Sequence, residues 1–204
     1  MERQSVTRSV AATGKRAAIL RAALVTFAER GVNGVAVPEI ATQAQVGTGT
    51  IYRYFPNKEA LVNELYQEQK RFLQDEIFTG LDEFPSGGER FTEFWRRLAA
   101  FARAHPEAYR FLELQDHRPY LDRPSRELEV DVLAPALDQM RRLRAAGVVR
   151  SDVRPEVLMA LIWGAFVNLF KAERSGHLVL TDADITAAGE ACWTMCVASS
   201  SQRH

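Results

Sequence analysis

Residues 48 to 58 read Thr-Gly-Thr-Ile-Tyr-Arg-Tyr-Phe-Pro-Asn-Lys, and their types and spacing suit contact with a phosphate-edged groove. Laid on a helix at about 100° per residue, Ile51 and Phe55 share one face, while Gly49 and Arg53 project almost opposite. Thr50 and Tyr52 flank that outward pair, and Thr48 stands at the exposed start. Arg53 can reach guanine O6/N7 or a phosphate oxygen, and Thr48 can meet a base edge or a thymine methyl. Gly49 has no Cβ and lets the helix backbone approach closely. Thr50 and Tyr54 offer hydroxyls to phosphate oxygens, and Lys58 is placed as a phosphate anchor near the start of the next helix. Lys15 and Arg16 are expected to open the first helix, whose positive end also favours an anion.

Such a face needs a rigid support, and the flanking sequence supplies one. Ile19, Leu20, Ala23, Leu24 and Phe27 recur on one side of a helix between Lys15 and Arg30, with Thr13 expected as its N-cap and Gly31 just past its end. Pro38 suits the first turn of a short second helix whose inner face is Ile40, Ala41 and Ala44. A break at residues 45–47 precedes a third short helix, stopped by Pro56. Asn57 then caps a longer helix carrying Leu61, Val62, Leu65, Phe72 and Ile77. One long helix, two short ones and a tight turn between the short pair make the layout of a helix-turn-helix, whose last helix enters the major groove. Charge agrees with this: residues 1–56 hold seven basic groups against three acidic, while the whole chain is balanced at twenty-six of each. A basic head on an acidic body suits a head that meets a polyanion.

The run from Val37 to Leu61 resembles the DNA-binding signature of the TetR (tetracycline-repressor-like) transcriptional regulators, and Ala22 to Gly31 is similar to that family's first helix. The likeness covers roughly residues 13–66. It implies a homodimer that binds a (pseudo)palindromic double-stranded DNA operator, with a helical body that takes a small-molecule effector and pairs through its last two helices. It assigns groove reading to Thr48, Gly49, Tyr52 and Arg53, and backbone contacts to Thr50, Tyr54 and Lys58. Two positions depart from the family pattern. Ala36-Val37 replace the Ser or Thr that starts the second helix, so its phosphate contact and cap are missing. The turn, Ala44-Gln-Val-Gly47, puts Gln45 where φ > 0 is required, at a cost of roughly 1 kcal/mol, and leaves Gly47 to cap by backbone geometry alone.

Beyond the head, residues 80–88 with Pro85 inside form the best loop. We place the helix-turn-helix domain at residues 1–56, a connecting helix at 57–79 and a ligand-binding and dimerisation body at 80–204. The body reads as helices throughout: one with Phe91, Phe94, Trp95, Leu98 and Phe101, a shorter one running to about His117, and one from Ser125 to Ala146 that Pro135 should kink. Two strong helices close the chain, Pro155 to Ser175 and Asp182 to about Ala198 with Thr181 as N-cap. The fold expected is all-α: a three-helix, homeodomain-like head on a larger helical body, about nine helices in all.

In that body Leu161, Ala165 and Leu169, with the small-residue stripe Ile185, Ala188, Gly189, Cys192 and Cys196, are the expected pairing surface. Trp95, Phe101, Tyr109, Leu112, Met140, Trp163 and Phe166 are the expected pocket lining, with His117 beside Asp116 for a polar contact. Cys192 and Cys196 are spaced i, i+4 and could hold a metal or sense oxidants, but no further Cys or His stands at metal spacing, so neither metal nor cofactor is expected. The remaining histidines fit no nucleophile–base pattern, and G-x-S-x-G, H-E-x-x-H and phosphate-loop motifs are absent, so no enzyme is read.

With 204 residues, 47% apolar and 25% charged, the composition excludes a disordered, collagenous or disulfide-stapled chain. The longest apolar run, Val157 to Phe170, is interrupted by Gly164 and Asn168, and residues 1–10 lack the apolar core of a signal peptide. The expectation is a cytoplasmic, DNA-binding repressor without a membrane role. The alternatives are an activator of the same family, or an all-α small-molecule-binding protein with no DNA role.

Overall fold

The computed structural model describes residues 2–115 and 117–198, with side chains from residue 14 onward. Nine α-helices account for most of the described residues: α1 (Glu2–Arg30), α2 (Val37–Gln43), α3 (Thr48–Tyr54), α4 (Lys58–Phe78), α5 (Gly87–Ala104), α6 (Pro106–Glu113), α7 (Arg123–Ala145), α8 (Pro155–Arg174) and α9 (Asp182–Cys196). No strand occurs among them; Val149 and Val197 form a single isolated bridge.

The chain divides into two compact units, residues 1–71 with 105–128 and residues 72–104 with 129–204. This is a different division from a cut near residue 80, because α6 and the following loop belong with the head. In the first unit Ile19, Ala23 and Phe27 of α1, Ile40 of α2, Ile51 of α3 and Leu61 of α4 are all essentially inaccessible to solvent. Phe111 of α6 stacks on Phe27 with ring centroids 6.3 Å apart, and Gln115 Nε2 donates to the Ala28 carbonyl at 3.3 Å. Buried Asn63 fastens the loop after α6 to α4. Its Nδ2 donates to the Tyr120 carbonyl at 2.8 Å, and its Oδ1 accepts from the Asp122 amide and the Ser125 hydroxyl, each at 2.8 Å. Lys70 and Glu113 add a buried ion pair at 3.3 Å between α4 and α6; isolating either charge there would be costly.

Helix boundaries follow local chemistry. Gly31, at φ 72°, ends α1. Asn57 Oδ1 accepts the Ala60 amide at 2.7 Å and caps α4. A capping box starts α5, with Ser86 Oγ accepting from the Glu89 amide and the Glu89 carboxylate accepting from the Ser86 amide. Thr181 and Asp184 repeat that arrangement at α9. Thr13 does not start α1, which already runs from Glu2. α6 stops at Glu113 rather than near His117. Pro135 lies inside α7 without ending it.

In the second unit the core is aromatic. Trp95 meets Phe166 edge to face at 5.3 Å, and Phe91 lies 5.3 Å from Trp193. α8 is long and apolar enough, by length and composition alone, to cross a bilayer, despite Gly164 and Asn168. Its apolar residues divide between buried Leu158, Ile162, Phe166 and Phe170 and exposed Val157 and Leu161.

Candidate nucleic-acid interface

The turn between α2 and α3 sets the direction of α3. The Val46 amide donates to the Ala41 carbonyl at 2.9 Å and the Gln45 amide to the Thr42 carbonyl at 3.1 Å, which places Gln45 in the left-handed region at φ 55°. Gly47 is extended, at φ −71° and ψ 145°, and caps α3 without a side chain. α2 likewise starts without a side-chain oxygen at Ala36. Instead the Glu39 carboxylate accepts the Ala36 amide at 2.8 Å and pairs with Arg30 at 2.5 Å. Those two contacts, the Ala36 amide first and Arg30 second, hold the Glu39 carboxyl below the usual carboxylate range.

Ile51 and Phe55, each only 1% exposed, pin α3 to the head's core. Gly49 and Arg53 are exposed on the opposite side, Tyr52 is 49% exposed, and Thr48, Thr50 and Tyr54 are half-buried along the flanks. A Cβ built on Gly49 would have no neighbour within 4 Å, so no packing within the chain demands glycine there. Lys58 is half-buried, with Nζ donating to the Val35 carbonyl at 2.5 Å; this ties the α1–α2 loop to the start of α4 and fixes where the ammonium sits.

Lys15 and Arg16 do not open a helix: α1 begins at Glu2, so both lie far from its positive end and gain nothing from the dipole. Lys15 is exposed. Arg16 forms an ion pair with Glu64 and lies over the Phe55 ring, 5.9 Å from its centroid, a bracing contact between α1 and α4.

The second unit holds a separate cavity of about 160 Å³ between α5, α7, α8 and α9, lined by Phe91, Phe94, Met140, Met159, Trp163 and Trp193 among others. Of the eight residues expected to line a pocket, only Met140 and Trp163 do so. Trp95 borders a different cleft between α5 and α9; Phe101 and Phe166 are core; Tyr109, Leu112 and His117 belong to the first unit. His117 is no surface residue. It is 5% exposed, its Nε2 is bonded to the Phe111 carbonyl, and its ring lies 4.3 Å from that of Phe111. Asp116, its expected companion, lies outside the described residues. The missed lining residue Phe94 belongs to the aromatic run of α5 whose amphipathic spacing is plain in the sequence; what the sequence lacks is the register that turns it toward α7.

The small-residue stripe of α9 is also relocated. Ile185, Gly189, Cys192 and Cys196 are buried within the protomer's own unit, and burial pushes the Cys192 thiol up and the Cys196 thiol to about 11. Ala188 is half-buried, while Leu161 and Ala165 are exposed and Leu169 half-buried on α8. The face of α9 that remains open carries Ala183, Ala187, Glu190, Ala191 and Thr194.

Comparison with known proteins agrees with the head and extends to the body. Residues 19–65 match the model of the bacterial regulatory proteins of the tetR family, and residues 66–198 match the tetracyclin repressor-like C-terminal domain. The HTH-type transcriptional regulator RutR of Escherichia coli strain K12 is 32% identical over 78% of this chain and 74% of its own length. Other relatives align over shorter stretches. The uncharacterized regulator YuxN of Bacillus subtilis strain 168 is 33% identical over 37% of this chain and 24% of its own length. The probable acrEF/envCD operon repressor of Escherichia coli strain K12 is 33% identical over 34% of this chain and 33% of its own length. The chain thus spans a quarter to a third of those two proteins. Among solved structures, a TetR family regulator from Marinobacter aquaeolei VT8 superposes with TM-score 0.82 at 20% identity, covering 98% of this chain and all of the other, a likeness of fold. A putative TetR family regulator from Vibrio parahaemolyticus gives 0.71 at 28% identity over 91% of this chain and all of its own. The chain belongs to the TetR family, the helix-turn-helix, DNA-binding regulators of bacterial transcription.

Proposed function

We propose that the protein is a cytoplasmic, ligand-responsive repressor that binds a two-fold-related operator as a homodimer, with α3 of each protomer in the major groove. The observation that carries this reading is the division of α3. Ile51 and Phe55 are sealed in the core, while Gly49, Tyr52 and Arg53 face solvent, leaving a donor-bearing face with close backbone approach. In this reading Thr48, Gly49, Tyr52 and Arg53 meet base edges, and Thr50, Tyr54 and Lys58 meet phosphates. Lys15 supplies long-range charge, whereas Arg16 acts by bracing the head. Binding two half-sites requires the α3 helices of a dimer to lie one helical turn apart, ~34–36 Å.

Pairing is supported by the open faces of α8 and α9, where Val157, Leu161 and Ala165 of the one and Ala183, Ala187 and Ala191 of the other are exposed. Small residues permit close helix approach and a four-helix interface. The cavity of the second unit supports an effector, which shifts the population away from the DNA-competent state only if it binds the other state better. Repression, rather than activation, follows the relative named as a probable operon repressor.

The test is a mobility shift on fragments from the protein's own upstream region, at several salt concentrations. Wild type should give a steep salt dependence. Arg53→Ala should weaken specific binding by about 1–3 kcal/mol if Arg53 meets a guanine, with an unchanged thermal unfolding midpoint. Unchanged affinity in that variant would remove Arg53 from the reading face. Absence of duplex binding at low salt would leave an all-α ligand-binding protein.

A further inference from the structure

The second unit's cavity differs from a general solvent cleft in how its few polar groups are arranged, and that arrangement restricts what can enter. Its wall is almost wholly apolar; besides the indole N–H donors of Trp163 and Trp193, its hydrogen-bonding side chains are Asp82, Arg90 and Gln139. Asp82 lies on the short 3-10 turn Leu81–Glu83 and is exposed, while Arg90 is half-buried with its Nε donating to the Phe84 carbonyl at 2.7 Å. The lining therefore carries one carboxylate and one guanidinium and no net charge that would select a cation or an anion. Gln139 is more decisive. Its Oε1 already accepts two hydrogen bonds from Arg142, at 3.1 Å and 2.8 Å, so it meets an incoming molecule through its NH₂, as a donor.

Size and wall chemistry set the rest. An apolar space of ~150 Å³ admits a benzene-sized guest, and this one measures about 160 Å³. Flat aromatic walls from Phe91, Phe94, Trp163 and Trp193 favour offset or edge-to-face contact with a ring, and the thioethers of Met140 and Met159 adapt to its edge. Placing a full charge inside such a wall carries a large desolvation penalty that a lining of no net charge does not repay.

We propose that this cavity binds an uncharged aromatic compound of one or two rings bearing a single hydrogen-bond acceptor, which the Gln139 amide receives. This rests on the effector reading above and specifies its chemical class.

The test uses a matched set of one-ring probes: toluene, acetophenone, benzoate and benzylammonium. The full-length protein is labelled with ¹³C at its methionine methyls. Met140 and Met159 line the cavity, and Met195 does not, so the spectrum reports location as well as binding. Acetophenone should shift the Met140 and Met159 signals saturably and leave Met195 in place, with benzoate and benzylammonium at least tenfold weaker. Gln139→Leu should weaken acetophenone several-fold without altering toluene. Ala136→Phe, which fills the cavity, should abolish the shifts while the methionine spectrum otherwise remains that of a folded protein. Should that variant fail to fold, the Gln139→Leu comparison decides alone. Tighter binding of benzoate or of benzylammonium overturns the proposal, as does an acetophenone response spread equally to Met195 or no response at all. A mobility shift in the same solutions separates the two readings: acetophenone seated in the cavity with operator binding unaltered upholds the ligand class and removes the effector role.

Discussion

Gly189 of α9 lies flat against Trp95 of α5: a Cβ built on the glycine would stand 2.7 Å from the indole Cδ1 and 2.9 Å from Cγ. The same indole donates from Nε1 to the Ile185 carbonyl one turn earlier, at 2.8 Å. That hydrogen bond fixes the ring against the α9 face that Gly189 leaves open. Gly189→Ala should destabilise the protein by about 1–3 kcal/mol, the range for overpacking a filled core, although alanine is the better helix former by ~1 kcal/mol. Urea unfolding measures this, and a neutral or stabilising result would mean the α5–α9 contact is looser than described.

Gln45 takes φ 55° in a turn whose backbone bonds leave it no alternative. An L-residue pays roughly 1–2 kcal/mol for that conformation, and glycine does not. Part of the gain is returned because glycine also frees the unfolded chain. Gln45→Gly should therefore raise stability modestly, by up to ~1 kcal/mol, and Gln45→Val should lower it. Paired urea titrations of the two variants read the sign, and a destabilised glycine variant would show that the Gln45 side chain contributes more than its backbone costs.

Glu93 of α5 accepts from Arg96 and, at 2.6 Å, from Arg97, and these pairs, Arg96 first, hold its carboxyl down at about 2. Arg97 in turn donates to the Ile77 and Thr79 carbonyls at the end of α4. A carboxyl depressed in the folded state adds stability that is complete above its unfolded pKa, near 4.5, and is lost as pH falls toward 2. Glu93→Gln should flatten the pH dependence of the unfolding free energy across that acid interval and leave its slope near neutrality unchanged. An unaltered acid slope would mean the pair persists in the unfolded chain or contributes nothing.

How much of this was legible beforehand depended on how local each signal is. The division of α3 is legible because the i, i+4 pair Ile51 and Phe55 and the turn residues all lie within a dozen positions. Asn57, Pro155 and Thr181 mark helix starts for the same reason. The beginning of α1 is not legible, because Thr13 is of a type that caps helices, and residue type alone cannot say whether the helix already continues through it. The cavity is largely illegible because spacing identifies an apolar stripe but not its opposing partner. Tyr109, Leu112 and His117 have the same apolar or aromatic character as the lining residues, yet they belong to the first unit. The α9 stripe failed similarly: small residues signal close approach, and the helix approached is the chain's own α5.

That relocation changes which substitutions should separate two copies. If the proposed pairing used Ile185, Gly189, Cys192 and Cys196, protomers would have to unfold their own cores to meet, so the proposed interface uses what remains outside. Leu161, 48% exposed, and Val157, 37% exposed, face solvent on α8, and Ala187 and Ala191 are exposed on α9. A charge placed among them meets its own copy across a two-fold axis, since such an interface brings the same patch from both subunits together. Leu161→Arg and Ala187→Arg should each yield a folded monomer with an unchanged circular dichroism spectrum and much weaker operator binding, because a lone head engages one half-site. Cys196→Ser, by contrast, should lower stability and leave the association state alone. Sedimentation velocity distinguishes these outcomes, and a dimer that survives both arginine variants would place the pairing surface on another face.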